Sequence, residues 1–353
     1  MRRSIAAAAA SLRPPGPSQL RRPNASTLGA LVVTGAVGFW LVENFVRSPT
    51  IFLSLVLIGI TTGCIYALVA MGYTLVYGIV DTINFAHGDV FIFGAMISAS
   101  IARGGKLGHG SPARDLLVLA LMLGAAVALS AGISGLIELI AFRPLRNAPR
   151  VASLIATIGV VYILRNILLV WQGNNFNSVD PVLPGGRIFR IYAFSFTWDK
   201  LIVIGLTFGL LVGLVLILGR TRYGQAIRAT SQDREAAALV GVNVNRTIFS
   251  TFVLAGALAG AAGFVYLVYV TNVSWDQGFH LGLIALTAAV LGGIGSPVGA
   301  VLGALVIGVT EALNDGLSWH AAGSDWTLTI VFVILIVMLV LRPTGLVGKA
   351  DGL

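Results

Sequence analysis

A chain of 353 residues that is 57% hydrophobic and only 10% charged lies outside the range of water-soluble domains, which are roughly 45–50% apolar and about 25% charged. Its net charge of +9 is carried by basic residues dispersed at the ends of apolar runs, not gathered into a patch with interleaved aromatics, so a nucleic-acid-binding surface is excluded. The single cysteine, Cys64, sits within an apolar run, which excludes a disulfide framework and a cysteine metal site.

Residues 1–27 hold Arg2, Arg3, Arg13, Arg21 and Arg22, an alanine run at 6–10 and no acid, and read as a disordered basic cytosolic tail. An acid-poor, Arg/Ser-rich start is also a feature of organellar transit peptides; the alanine run is too short and too weakly apolar for a secretory signal. Apolar segments follow at about 28–46, 50–80, 84–102, 114–142, 151–171, 200–219, 247–270, 281–313 and 326–342. A hydrocarbon core is crossed by about 20 helical residues, and a span must be a helix or a closed barrel because no backbone group goes unpaired in lipid. None of these runs alternates with period two, so the fold class is all-α. The expected architecture is a polytopic membrane domain over 28–345, with about eight to ten transmembrane or half-spanning helices, a two-fold repeat, and a cytosolic tail at 346–353.

Two segments are too long for one simple span. The 50–80 run leads into Asn84, and 281–313 is interrupted by Gly292-Gly293-Ile294-Gly295-Ser296-Pro297. Both read as helices with a break at membrane depth, tolerated where backbone lines a cavity or is buried in protein. One interruption in each half, near 81–89 and near 292–297, points to a substrate pathway between structural repeats. Short cytoplasmic loops are enriched in Lys and Arg. Placing the N-terminal tail, 143–150, 220–246 and the C-terminal tail in the cytosol puts fifteen of the 23 basic residues there and predicts that both termini are cytosolic. The same placement leaves Arg103, Lys106 and Arg114 in an outer loop.

The densest polar cluster in an apolar setting is Asp81-Thr82-Ile83-Asn84-Phe85-Ala86-His87-Gly88-Asp89. Ionisable groups at membrane depth cost about 2.5–3.5 kcal/mol on insertion scales and face a bundle interior or an aqueous cavity, which makes the cluster a candidate pathway lining. The competing structural reading is a cytosolic interface at which Asn84 or Asp89 caps the next helix. The second motif is the loop 220–246. Its stretch from Asp233 to Leu239 is short-helix material with acids at its start and Gly241 at its end, and its alanine face suits docking into a partner's groove or lying on anionic lipid. Arg165, within a span, reads either as a carboxylate attractor or as a cation snorkelling to the outer interface. Glu138 and Glu311 read as structural. There is no G-x-x-x-x-G-K-[ST] in the chain, so nothing here cradles ATP phosphates, and no catalytic set is expected.

Three ordered motifs carry a family resemblance. Tyr73-Thr74-Leu75-Val76-Tyr77-Gly78 with Ile83-Asn84-Phe85-Ala86-His87-Gly88-Asp89 and Gly94-Ala95, then Arg222 to Gly241, then Leu291-Gly292-Gly293-Ile294-Gly295-Ser296-Pro297 resemble the LivH-type branched-chain amino acid ABC permeases over roughly residues 50–345. The resemblance implies a subunit of an ATP-driven importer in the bacterial inner membrane. Its expected partners are a second homologous permease, two cytosolic ATPases that bind ATP and Mg, and a periplasmic substrate-binding protein, with no cofactor in this chain. It further implies that Tyr73, Asn84, His87, Asp89, Gly292, Gly293 and Gly295 belong to the translocation pathway. Arg228, Ala229, Asp233, Ala236, Ala237 and Gly241 would couple to an ATPase, so that Ala237→Glu would abolish uptake by spoiling the docking face. The alternatives are an ABC permease for urea, short amides or another small solute, and, from another class, a stand-alone secondary transporter or channel driven by protons through Asp81, His87 and Asp89.

Overall fold

The computed structural model describes residues 25–105, 111–146, 148–181, 187–191, 194–317, 319, 321–342 and 344–347; most of the segment read as a basic tail lies outside them. Among the described residues the chain forms twelve α-helices: α1 (Ala25–Arg47), α2 (Pro49–Val80), α3 (His87–Gly104), α4 (Pro112–Ile137, continued by a π turn at Glu138–Phe142), α5 (Arg150–Gln172), α6 (Trp198–Arg220), α7 (Arg222–Gln232), α8 (Arg234–Leu239), α9 (Val244–Val270), α10 (Gln277–Gly292), α11 (Pro297–Gly316) and α12 (Thr327–Leu341). Six of these, α2, α4 with its π turn, α5, α6, α9 and α11, are long and apolar enough to cross a membrane. The all-α expectation holds apart from two small antiparallel pairs that hydropathy gave no sign of. In the first, β1 (Asn177–Ser178) pairs with β4 (Asn272–Val273); in the second, β2 (Arg187–Ile191) pairs with β3 (Phe194–Thr197). The described residues up to Val46 form a unit of their own, in which Asn44 Nδ2 donates to Trp40 O at 2.9 Å.

The helix starts follow from local chemistry. Ser111, Asn243 and Ser296 each accept a hydrogen bond from the backbone N–H three residues on, and Pro112 and Pro297 take the first helical position, where a missing N–H costs nothing. Arg103 donates to Asn177 and Gln172, and Arg114 donates to Gly105 O. Arg103 and Arg114 of the outer loop are therefore both engaged, and Lys106 lies outside the described residues.

The centre of the bundle is built from α2, α3, α9 and α10. Every residue of Ile65–Val76, 86–96 and 258–267 is buried, and these helices meet through small residues, as membrane helices do where dispersion and close approach replace the hydrophobic drive. The outer helices α5, α6 and α12 expose Ile, Leu, Val and Phe side chains.

The break pairing differs from the sequence expectation. Asp81 (φ 54°) after α2 and Thr271 (φ 62°) after α9 are the two non-glycine residues with positive φ among the described residues. Each is followed seven positions on by a glycine in the first turn of a shorter helix, Gly88 of α3 and Gly278 of α10. These two first turns touch: a Cβ on Gly278 would lie 3.0 Å from Asp89 Cα, and one on Gly88 would lie 2.7 Å from Gly282 Cα. In parallel with this, α4 packs on α3 and α9 while α11 packs on α2 and α10. The two halves thus repeat one pattern of long helix, positive-φ turn and shorter helix, the shorter helices meeting at Gly88 and Gly278, with 271–276 as the counterpart of 81–86. The break at 292–297 is real, but it joins α10 to α11 and so corresponds to the connection between α3 and α4. Sequence reading missed the pairing because 271–276 carries neither the glycine nor the proline signal of a break.

Candidate functional site

The polar turn after α2 folds back along its own helix. The N–H of Asp81 closes α2 on Tyr77 O at 2.8 Å. The Asn84 side chain then accepts from Ala86 N at 3.2 Å, and Asn84 O accepts from His87 N at 3.2 Å, which shapes the start of α3. This return brings the His87 ring against Gly72 of α2 and edge-on to Tyr73, with ring centroids 4.8 Å apart at 69°. The Tyr73 hydroxyl points to Gly282 of α10. Tyr73, Tyr77 and Ile83 share a crevice with Leu286, Ala289 and Ile294, so the first break and the α10 side of the second meet there.

Asp89 has no exposed side-chain surface, and its Oδ1 lies 3.5 Å from Arg165 Nε on α5. Arg165 also donates to Asp276 O at 3.4 Å and stacks over the Phe279 ring at 4.9 Å. The Arg165 side chain therefore turns inward to a carboxylate and does not snorkel to an interface. Buried polar atoms without hydrogen bonds are scarce in folded chains, yet Thr74 Oγ1, Asn84 Nδ2, both ring nitrogens of His87 and Asp89 Oδ2 form such a group here; for His87 the polar neighbour is the backbone of Val69. Of the residues assigned to a pathway, the fold gathers Tyr73, Asn84, His87 and Asp89. Gly292, Gly293 and Gly295 shape the turn between α10 and α11. Gly293 and Gly295 take φ of 102° and 94°, and Gly292 abuts the backbone of Gly299. The carbonyls of Leu291 and Gly292, left free at the helix end, accept from Leu346 N at 2.9 Å and Val347 N at 3.1 Å.

The loop after α6 is a second polar element. Arg228 donates to Leu218 O, and Asp233 Oδ1 accepts from Glu235 N at 2.8 Å and Ala236 N at 3.0 Å, which starts α8. Gly241, at φ 88°, ends it: Val242 N donates to Ala237 O and Gly241 N to Ala238 O, both at 3.0 Å, the paired bonds of a Schellman end. Asp233→Ala is expected to cost about 1 kcal/mol of local stability, seen as faster hydrogen exchange at 235–239. The alanines of α8 are not equally placed: Ala236 and Ala238 are exposed and Ala237 is buried. Ala237 is 3% exposed whereas Leu239 and Val240 are 89% and 79% exposed, so a glutamate at 237 would unseat α8 and would not reach a partner. Sequence reading also passed over Arg234, which donates to Ile79 O at the end of α2 across 2.7 Å; only a tertiary contact reveals it.

These features define a polytopic α-helical membrane protein with two internal breaks that meet at a polar crossing, and with an exposed loop tied to the end of α2. The family model described as branched-chain amino acid transport system / permease component matches residues 55–339, and the chain belongs to that family. It is 37% identical over 297 residues to the high-affinity branched-chain amino acid transport system permease protein BraD of Pseudomonas aeruginosa, covering 83% of this chain and 94% of that protein. It is 36% identical over 304 residues to LivH of Escherichia coli K12, covering 85% and 96%. A more distant relative is the fructose import permease protein FruG of Bifidobacterium longum, 25% identical over 79% of this chain and 82% of that protein.

Proposed function

We propose that the chain is a transmembrane subunit of an ATP-driven importer that moves branched-chain or related hydrophobic amino acids into the cytoplasm by alternating access. ATP is hydrolysed by two separate cytosolic ATPases, and a second homologous permease and a periplasmic binding protein complete the assembly, with both termini in the cytosol. The observation that carries this reading is the bond from Arg234 to Ile79 O. It fastens the exposed α7–α8 loop to the last turn of α2, two residues before the polar break, so that force on the loop is delivered to the pathway. The substrate is supported by the names of the relatives that match the chain over most of its length.

Purifying a tagged complex and identifying the proteins that accompany it tests the composition. Reconstitution with the binding protein then tests the drive: leucine uptake that requires ATP is expected, and uptake without any ATPase would reverse the reading in favour of a stand-alone transporter. ATP-driven uptake of urea or fructose but not leucine would move the substrate. Replacing Leu239 and Val240 together by aspartate is expected to weaken ATPase association by about 2 kcal/mol or more, about thirtyfold, as loss of an interface hot spot does. Co-purification of the ATPases at wild-type yield would displace the docking face from these two residues.

A further inference from the structure

We propose that Asp89 and Arg165 read the two charges of an α-amino acid in transit: Arg165 takes the carboxylate, and the free oxygen of Asp89 takes the ammonium group. The proposal rests on the importer reading and names the chemistry that its pathway selects. Positions 89 and 279 each lie one residue after the paired glycines Gly88 and Gly278, and Arg165 engages both, the carboxylate of one and the ring of the other. The guanidinium therefore sits where two first turns meet. Each presents the positive end of a helix dipole, the arrangement in which broken-helix transporters hold an anionic group.

The ion pair itself is incomplete. Pairs that only stabilise a core are short and have their remaining lone pairs satisfied. Here Nε stands 3.5 Å from Oδ1, beyond the 2.7–2.9 Å typical of a charge-assisted bond. Asp89 Oδ2 is buried with no partner, and the Arg165 side chain keeps 21% of its surface exposed. An acceptor without a donor and a partly open cation are the complement of a zwitterion. Inserting one exchanges a single ion pair for two, and no net charge enters the low-dielectric interior, where an unpaired charge is costly. A sugar, urea or an amide carries neither charge and would gain nothing from the pair.

The test uses the whole complex, with its ATPases and binding protein, in proteoliposomes supplied with radiolabelled leucine. Replacing a buried ion pair by neutral residues of similar volume is often harmless to folding, so D89N/R165M is expected to assemble in wild-type amounts while leucine uptake falls at least about tenfold, the scale of losing charged hydrogen bonds. Arg165→Lys, which keeps the charge, is expected to retain part of the uptake. Wild-type uptake by the double variant overturns the proposal, as does failure of that variant to assemble, which would make the pair a structural clamp. A wild-type complex that moves only uncharged solutes under ATP overturns the importer reading for amino acids as well, and is distinguished by being seen before any variant is compared.

Discussion

Gly88→Ala is expected to leave little folded permease. The added methyl would lie 2.7 Å from Gly282 Cα and closer still to Gly278 O, both backbone atoms, inside the 3.0 Å that real Cβ contacts essentially never breach. Neither neighbour is the movable end of a side chain, so α3 and α10 would have to move apart. Overpacking of this kind costs roughly 3 kcal/mol or more. Thermal unfolding of the detergent-solubilised protein, followed by size-exclusion profile, reads the effect. Gly78→Ala supplies the control: a Cβ there meets nothing within 4 Å, and alanine gains about 1 kcal/mol over glycine in a helix. Equal stability of Gly88→Ala and wild type would mean that the two first turns are not held in contact.

Arg234→Ala is expected to uncouple the machine without dismantling it. The lost bond joins a cation to the carbonyl of a residue that is 1% exposed, and hydrogen bonds to charged groups contribute about 1.5–3 kcal/mol. ATP-driven uptake should fall about tenfold or more while the ATPases still co-purify, because Leu239 and Val240 remain in place. Arg234→Lys should recover part of the rate. The neighbouring pair of Arg150 and Asp81 gives the contrast. At 3.9 Å, with 76% and 58% of the side chains exposed, it belongs to the class of surface pairs worth about 0–1 kcal/mol, and Arg150→Ala should transport nearly as wild type. If both variants behave alike, the path from loop to α2 does not run through Ile79.

Much of this was legible in the residues. Long apolar runs dictate helices because lipid offers the backbone no other partner, and the segment limits fall within a few residues of α2 to α6, of α9, of α10 and α11 taken together, and of α12. The polar stretch at 81–89 stands out because its charges have no business in an apolar run unless the interior uses them. What stayed hidden depends on contacts between distant positions. Asp89 and Arg165 are 76 residues apart, and nothing local to either announces the other. The partner of the 81–86 turn is legible only as a backbone conformation, since Asn272-Val273-Ser274-Trp275-Asp276 shares spacing but hardly any chemistry with Thr82-Ile83-Asn84-Phe85-Ala86. Ala236, Ala237 and Ala238 are identical in composition, so which of them turns inward is decided by the seat of α8 and not by its sequence.

The return of Leu346 and Val347 to the end of α10 also sets a timetable. A chain is made from its N-terminus, so the carbonyls of Leu291 and Gly292 wait through the synthesis of α11 and α12 before their donors exist. A message cut just after α12 would still encode every apolar helix described here, yet its product would leave those two carbonyls open. Such a protein would carry all its apolar helices and still be unfinished, because the end of α10 would lack the two bonds that close it.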